Sequence, residues 1–247
     1  MRKVLYQLLT TKYFYFQTRF WLPWLGCGAF SMLLIGVFWG LFIAPVDYQQ
    51  ADAVRIIYLH VPAAFLSIAL YAWMGGCALL LLIWQIKLAG IMLPIIAELG
   101  MIMTLIALIT GCIWGKPMWG TWWIWDARLT SEFILLLLYC SILAIKHSLI
   151  DSDQCSKLIS VLAIVGLIDL PIIHYSVYWW NTLHQGASLS LFNKPNIATS
   201  MLYPLLFNLF GFSLYCIWVI LHKTSSAVLY RERKQAWLIE IIKKREL

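Results

Sequence analysis

Apolar residues fall in long unbroken runs along this chain, parted by short polar stretches. Six runs approach the roughly 20 residues a helix needs to cross a bilayer. They are Trp21–Pro45, Pro62–Ile86, Leu93–Trp114, Thr130–Lys146, Leu158–Ser176 and Met201–His222. None alternates with a two-residue period, which argues against a β-barrel. The pattern predicts an all-α, polytopic membrane protein of six transmembrane helices, with residues 1–247 forming one membrane domain.

Composition fits: 62% of residues are hydrophobic and 12% charged, too apolar a balance for a soluble domain. The 18 Lys and Arg outnumber the 11 Asp and Glu. Their placement speaks for orientation and lipid contact rather than for nucleic acid. One side of the six-span arrangement holds Arg2, Lys3, Lys12, Arg19, Lys87, Lys146, Lys157 and the seven basic residues from Lys223 to Arg245; the other holds only Arg55, Lys116, Arg128 and Lys194. The positive-inside rule then puts both termini in the cytoplasm and the tryptophan-rich stretch on the outside, which in a bacterium is the periplasm. Residues 223–247 become a cytoplasmic basic tail, ending in an amphipathic helix pattern. The N-terminal "MRKVLYQLLTTKYFYFQTRFW" lacks the short apolar core and cleavage site of a secretory signal and reads as an interfacial segment. The six cysteines show no CxxC spacing and lie mostly in apolar runs. They read as small hydrophobes, not as a disulfide framework or a zinc or iron–sulfur site.

Seven of the fourteen tryptophans crowd into two outer loops. Five belong to "WGKPMWGTWWIWDARLTSE", residues 114–132, the other two being Trp179 and Trp180. An interfacial belt would spread aromatics over both faces. It accounts for Trp114 and Trp179, but not for "WGTWWIWD". Trp119 and Trp123, and Trp122 and Trp125, have spacings that share a face on a helical turn. Gly115, Pro117 and Gly120 argue against a long regular helix, so a short helix or turn in the outer interface is expected. Gly120 would let a flat ligand approach the backbone. Asp126 can accept from tryptophan or loop N–H groups, or pair with Arg128. "TSEF" at Thr130 resembles a helix start, with a hydroxyl cap and an early acid.

Two more outer clusters carry histidine. "YLHVPAAF" sets His60 just before Pro62, and "SVYWWNTLHQG" sets His184 in the last outer loop. Imidazole is the commonest metal ligand, and a haem iron accepts one on each side. Tryptophan faces suit a porphyrin ring, and Arg55, Arg128 or Lys194 could meet its carboxylates. A histidine at a helix end is also a common hydrogen-bonded structural residue. Two of them beside a tryptophan wall leave both readings open. His174 reads as a core or supporting residue; His147 and His222 lie at the opposite face. Glu98 and Asp169, carboxylates inside spans, read as structural hydrogen-bonding groups rather than relays. There is no nucleophile–base pair and no phosphate loop, so no catalytic site is assigned.

"WGTWWIWDARLTSEFILLLLY", with the two histidine motifs flanking it, resembles the WWD-domain family of haem-handling membrane proteins over nearly the whole chain. Only Phe133 departs, where a smaller aliphatic residue is expected. The resemblance implies His60 and His184 as axial ligands of haem b. It makes residues 114–128 the platform, with Trp114, Trp119, Gly120, Trp122, Trp123, Trp125, Asp126 and Arg128, helped by Arg55. It implies delivery of haem to the periplasmic chaperone CcmE during cytochrome c maturation, alongside the small protein CcmD and the ABC transporter pair CcmA and CcmB. The competing readings are a b-type cytochrome subunit carrying electrons, which would pair histidines within the bilayer, and a transporter, which would need a polar path.

Overall fold

A computed structural model describes residues 10–148, 152–180, 182–184 and 197–243. These are almost entirely helical, and among them the only β feature is one bridge between Asp47 and Ala51. Helix α1 is Thr11–Phe38, extended by a π-turn over Trp39–Ile43, and a 3-10 turn at Asp52–Ile56 leads into α2, Ile57–Trp84. Then follow α3 (Lys87–Trp119), α4 (Ala127–Ser148), α5 (Ser152–Gly166), α6 (Asp169–Trp179), α7 (Thr199–Arg231) and the short α8 (Ala236–Lys243). Six helical stretches are long and apolar enough to cross a membrane, so the six expected spans are present. Four of them run for 33 residues, about 50 Å, against a hydrocarbon core of about 30 Å. Their ends therefore reach well into the headgroup region.

Expected boundaries move: α1 already starts at Thr11 and α7 runs on to Arg231, and two further shifts fall at the tryptophan motif. Helix α3 does not stop near Trp114 but runs on through Gly115 and Pro117 to Trp119. Pro117 costs the last turn one hydrogen bond, its missing N–H to Ile113 O, without ending the helix there. Gly120 stops the helix, at φ 77° with its N–H on Lys116 O. Helix α4 begins at Ala127 rather than Thr130, because Asp126 is its cap: Oδ1 accepts from Leu129 N at 2.8 Å. An aspartate in that position satisfies one of the otherwise orphaned first-turn donors.

Helices α2 and α3 form one antiparallel pair and α1 and α7 another, with α4 packed on α3. The fifth span breaks in two. Pro171 has no N–H to give to Leu167, and the chain turns at Leu167 and Ile168 before α6 resumes. Below the break α5 packs against both α2 and α4; above it α6 packs against α4. Both described ends meet at one end of the bundle, where Thr11 donates to Glu232 and Trp237 lies against Tyr15. The tryptophan motif lies at the other end.

Lipid tails are as apolar as leucine, so helices here associate through close packing and hydrogen bonds. The buried tyrosines carry much of that fit. Tyr58 seats on Gly40, Tyr71 on Gly166 and Tyr139 on Gly100; a Cβ at any of these glycines would collide with the ring. Tyr139 OH also donates to Ser67 O at 2.8 Å, and Asn208 Nδ2 to Gly36 O at 2.8 Å. Cys77, Cys155 and Cys216 are buried and all six cysteines are free, while Cys27 and Cys140 are exposed.

The intramembrane carboxylates differ from expectation in detail. Glu98 is hydrogen-bonded, to Lys223 Nζ at 2.6 Å, but on the outer surface of the bundle. Asp169 is buried with its Oδ2 unpartnered, so the structural hydrogen bond expected of it is absent at that oxygen. Its place in the first turn of α6 is favourable for a carboxylate.

Gly100→Ala and Gly166→Ala should each lower stability in detergent by about 1–3 kcal/mol, the usual cost of overpacking. Gly76, with open space around it, should accept alanine without loss. Equal thermal midpoints for all three variants would contradict the notched packing.

Candidate functional site

A cavity of about 340 Å³ opens at the tryptophan end of the bundle. Helix α2 contributes His60 and Phe65, α3 Gly111, Trp114 and Trp119, and α4 Arg128 and Glu132; His174 comes from α6 and His184 from the segment after it. The structure thus gathers both predicted ligand histidines, from positions far apart in the chain, into one space.

Each histidine is held by its Nδ1. His60 Nδ1 lies 3.0 Å from Thr110 Oγ1. The Thr110 hydroxyl donates back to Ile106 O at 2.5 Å, so it offers His60 a lone pair. The ring proton then belongs on Nδ1, and Nε2 keeps its own lone pair. Gly111 leaves room for the imidazole, since a Cβ there would stand 3.2 Å from His60 Cε1. His184 repeats the arrangement with a stronger acceptor: its Nδ1 donates to Asp126 Oδ2 at 2.9 Å. A carboxylate behind an imidazole fixes the tautomer and orients the ring as it does for metal-bound histidines. Neither Nε2 has a partner among the described residues.

Burial holds the His184 imidazole below the usual 6.5, while the Asp126 hydrogen bond and charge pull it back up. The ring is therefore neutral at neutral pH. As pH falls below 6.5 the unfolded chain takes up this proton before the folded one does, so acid weakens the folded state through this group.

The tryptophans divide. Trp119 folds back over Gly115 and its ring lies 4.7 Å from the His184 ring. Trp114 sits 5.7 Å from the His60 ring, and its Nε1 donates to Gln50 Oε1 at 2.9 Å. Trp114 is thus part of the wall and not a belt residue. Trp122, Trp123 and Trp125 follow the helix end and do not line the cavity. Trp122 and Trp125 are 57% and 73% exposed, while Trp123 packs on Trp125 and Phe133. The helical pairing expected of Trp119 with Trp123, and of Trp122 with Trp125, does not form because the helix ends at Gly120. Phe133, unexpected in the motif, is the ring against which Trp123 rests.

Arg128 lines the cavity and donates from Nη1 to Ile173 O at 3.2 Å. Arg55 does not line it. Its guanidinium caps the end of the first span, donating to Gly40, Leu41 and Ala44 carbonyls and to Asp52. Gly120 also lies off the cavity and works as the helix stop. Asp126 stands behind His184. Lys194 lies outside the described residues. Sequence reasoning passed over Glu132 as a helix-start acid; it is a buried residue of the cavity wall. It also missed Thr110, for which a threonine one position before a glycine gives no signal.

The family model described as heme exporter protein C matches residues 4–239. The chain belongs to the CcmC family. Heme exporter protein C of Escherichia coli (strain K12) is 43% identical over 245 residues, 99% of each chain. The Haemophilus influenzae protein of the same name is 46% identical over 207 residues, 84% of each chain, and that of Paracoccus denitrificans 41% identical over 219, 88% and 90%. In this CcmC family member the multi-pass helical bundle builds its cavity at the end bearing the tryptophan motif.

Asp126→Asn keeps a capping side chain but removes the charge behind His184. It should move the titration of His184, read by NMR on labelled histidine, further below 6.5. An upward shift would contradict the assigned pairing.

Proposed function

We propose that this protein binds haem b between His60 and His184 and delivers it to the chaperone CcmE during c-type cytochrome assembly. The observation that carries this reading is the pair of cavity histidines, each with Nδ1 tied back and Nε2 free. Two neutral imidazoles suit a metal whose in-plane ligands are already supplied by a flat ring. Among the described residues no cluster of three or more metal-binding side chains exists for a bare ion. The residues present therefore fit haem. When bound, held by His60, His184 and Arg128, it would supply a redox-active iron centre and a porphyrin edge for transfer.

The chain's own residues divide the remaining tasks. Trp114 and Trp119 would cover the ring with apolar faces while holding the histidines edge-on. Arg128 would pair with a porphyrin carboxylate. Asp126 keeps His184 in the ligating tautomer, and Thr110 does so for His60. Exposed Trp122 and Trp125 would flank the mouth, leaving Gly120 and Arg55 with structural tasks.

The fourteen-to-four distribution of basic residues supports placing this end in the periplasm and both termini in the cytoplasm, in the bacterial inner membrane. Family membership supports work within a complex containing CcmD, CcmA and CcmB. An electron-carrying cytochrome is less well supported: the two ligands occupy one end of the bundle, and the described histidines elsewhere, His147 and His222, lie toward the other.

The purified full chain should show a low-spin bis-histidine haem spectrum, and His60→Ala with His184→Ala together should abolish it. A full spectrum in the double variant would reject the ligand pair. Trp119→Ala should weaken haem retention about 2- to 10-fold, from the ~0.5–1.5 kcal/mol of an aromatic contact; unchanged haem stoichiometry would remove it from the wall. Cells lacking this protein should fail to load covalent haem on CcmE.

A further inference from the structure

Glu132 is the one acid among the described residues lining the cavity. It is 6% exposed, one helical turn from Arg128 on α4. Ser67 Oγ, itself fully buried, donates to Oε1 at 2.7 Å. Oε2 has no partner among the described residues, yet it is not sealed into the wall as the buried unpartnered Asp169 Oδ2 is. A carboxylate in such a place is costly in hydrocarbon and calls for a compensating charge. If its task were only to join α4 to α2, a neutral amide would accept the same hydrogen bond without that cost.

The cavity's charges suggest what it compensates. Arg128 puts one cation on the wall, Asp126 puts a carboxylate behind His184, and His60 and His184 are the neutral ligands. A porphyrin dianion holding ferric iron between two neutral imidazoles carries one net positive charge at its core; the ferrous form carries none. Arg128 is taken up by a porphyrin carboxylate in the reading above, and Asp126 acts on the core only through His184. A negative charge on the same wall, in a region of low dielectric, favours the ferric core.

We propose that Glu132 provides a buried negative charge that biases haem bound in this cavity toward the ferric state. This rests on the bis-histidine reading above. The equilibrium concerned is the uptake of one electron by ferric iron to give ferrous iron, the electron coming from an added chemical reductant through mediators. Glu132 acts through space and ligates nothing.

The test is a redox titration of the haem absorption spectrum, in the purified full chain and in mildly alkaline buffer. Wild type is compared with Glu132→Gln, Glu132→Ala and Glu132→Asp. Glutamine keeps an oxygen for Ser67 and removes the charge, so a purely structural role would leave the midpoint alone. Glu132→Gln should shift the ferric-to-ferrous equilibrium about tenfold toward ferrous, a midpoint higher by about 59 mV for one electron. Glu132→Ala should shift it the same way, so failure of one neutral variant to fold leaves the other to decide. Glu132→Asp should stay near wild type. A normal low-spin spectrum with unmoved midpoints in the neutral variants overturns this inference alone, and so does an aspartate variant that shifts as far as glutamine. Absence of that spectrum from wild type overturns the bis-histidine reading, and this inference with it.

Discussion

The carboxylate of Asp126 faces two ways. One oxygen caps α4 and the other holds the His184 ring. The start of a membrane-spanning helix and the orientation of a loop histidine 58 residues away are thus set by one side chain. The cap fixes where α4 begins, which fixes the face on which Arg128 and Glu132 stand. The ring contact draws the segment after α6 over the cavity, against Trp119. Walls and roof of the site share this anchor.

Much of the fold was legible because hydrophobic length is a strong signal in a membrane protein. The runs marked six spans, though each helix outlasts its apolar run, since helix ends in the headgroup region need not be apolar. Where the broken span turns is explained by Pro171, yet a proline in an apolar run does not announce whether it kinks or breaks the helix. That depends on what packs on either side.

The site was legible at its centre and not at its edge. His60, His184 and the tryptophan motif could be named from residue type and position. Which tryptophans face the cavity could not, because that follows from α3 continuing to Gly120 and from Trp119 folding over Gly115. Arg55 looked like an anion partner because its charge was visible, whereas the carbonyls it caps were not. Glu132 looked like a capping acid because the true cap, Asp126, lies outside the "TSEF" pattern. The pairing of Asp126 with His184 is a long-range contact to which local spacing is blind.

The glycine notches bear on one further matter. In water, a helix slipping or turning in its seat uncovers apolar surface and is driven back. In lipid it exchanges one apolar neighbour for another, and hydrophobicity exerts little restoring force along the axis or around it. Position must then come from shape. Tyr58 locked over Gly40 lies two residues from His60, so this notch indexes α2 much as a detent indexes a sliding shaft. The depth and heading of the histidine are set by a ring resting on a bare backbone, two residues before it on the same helix.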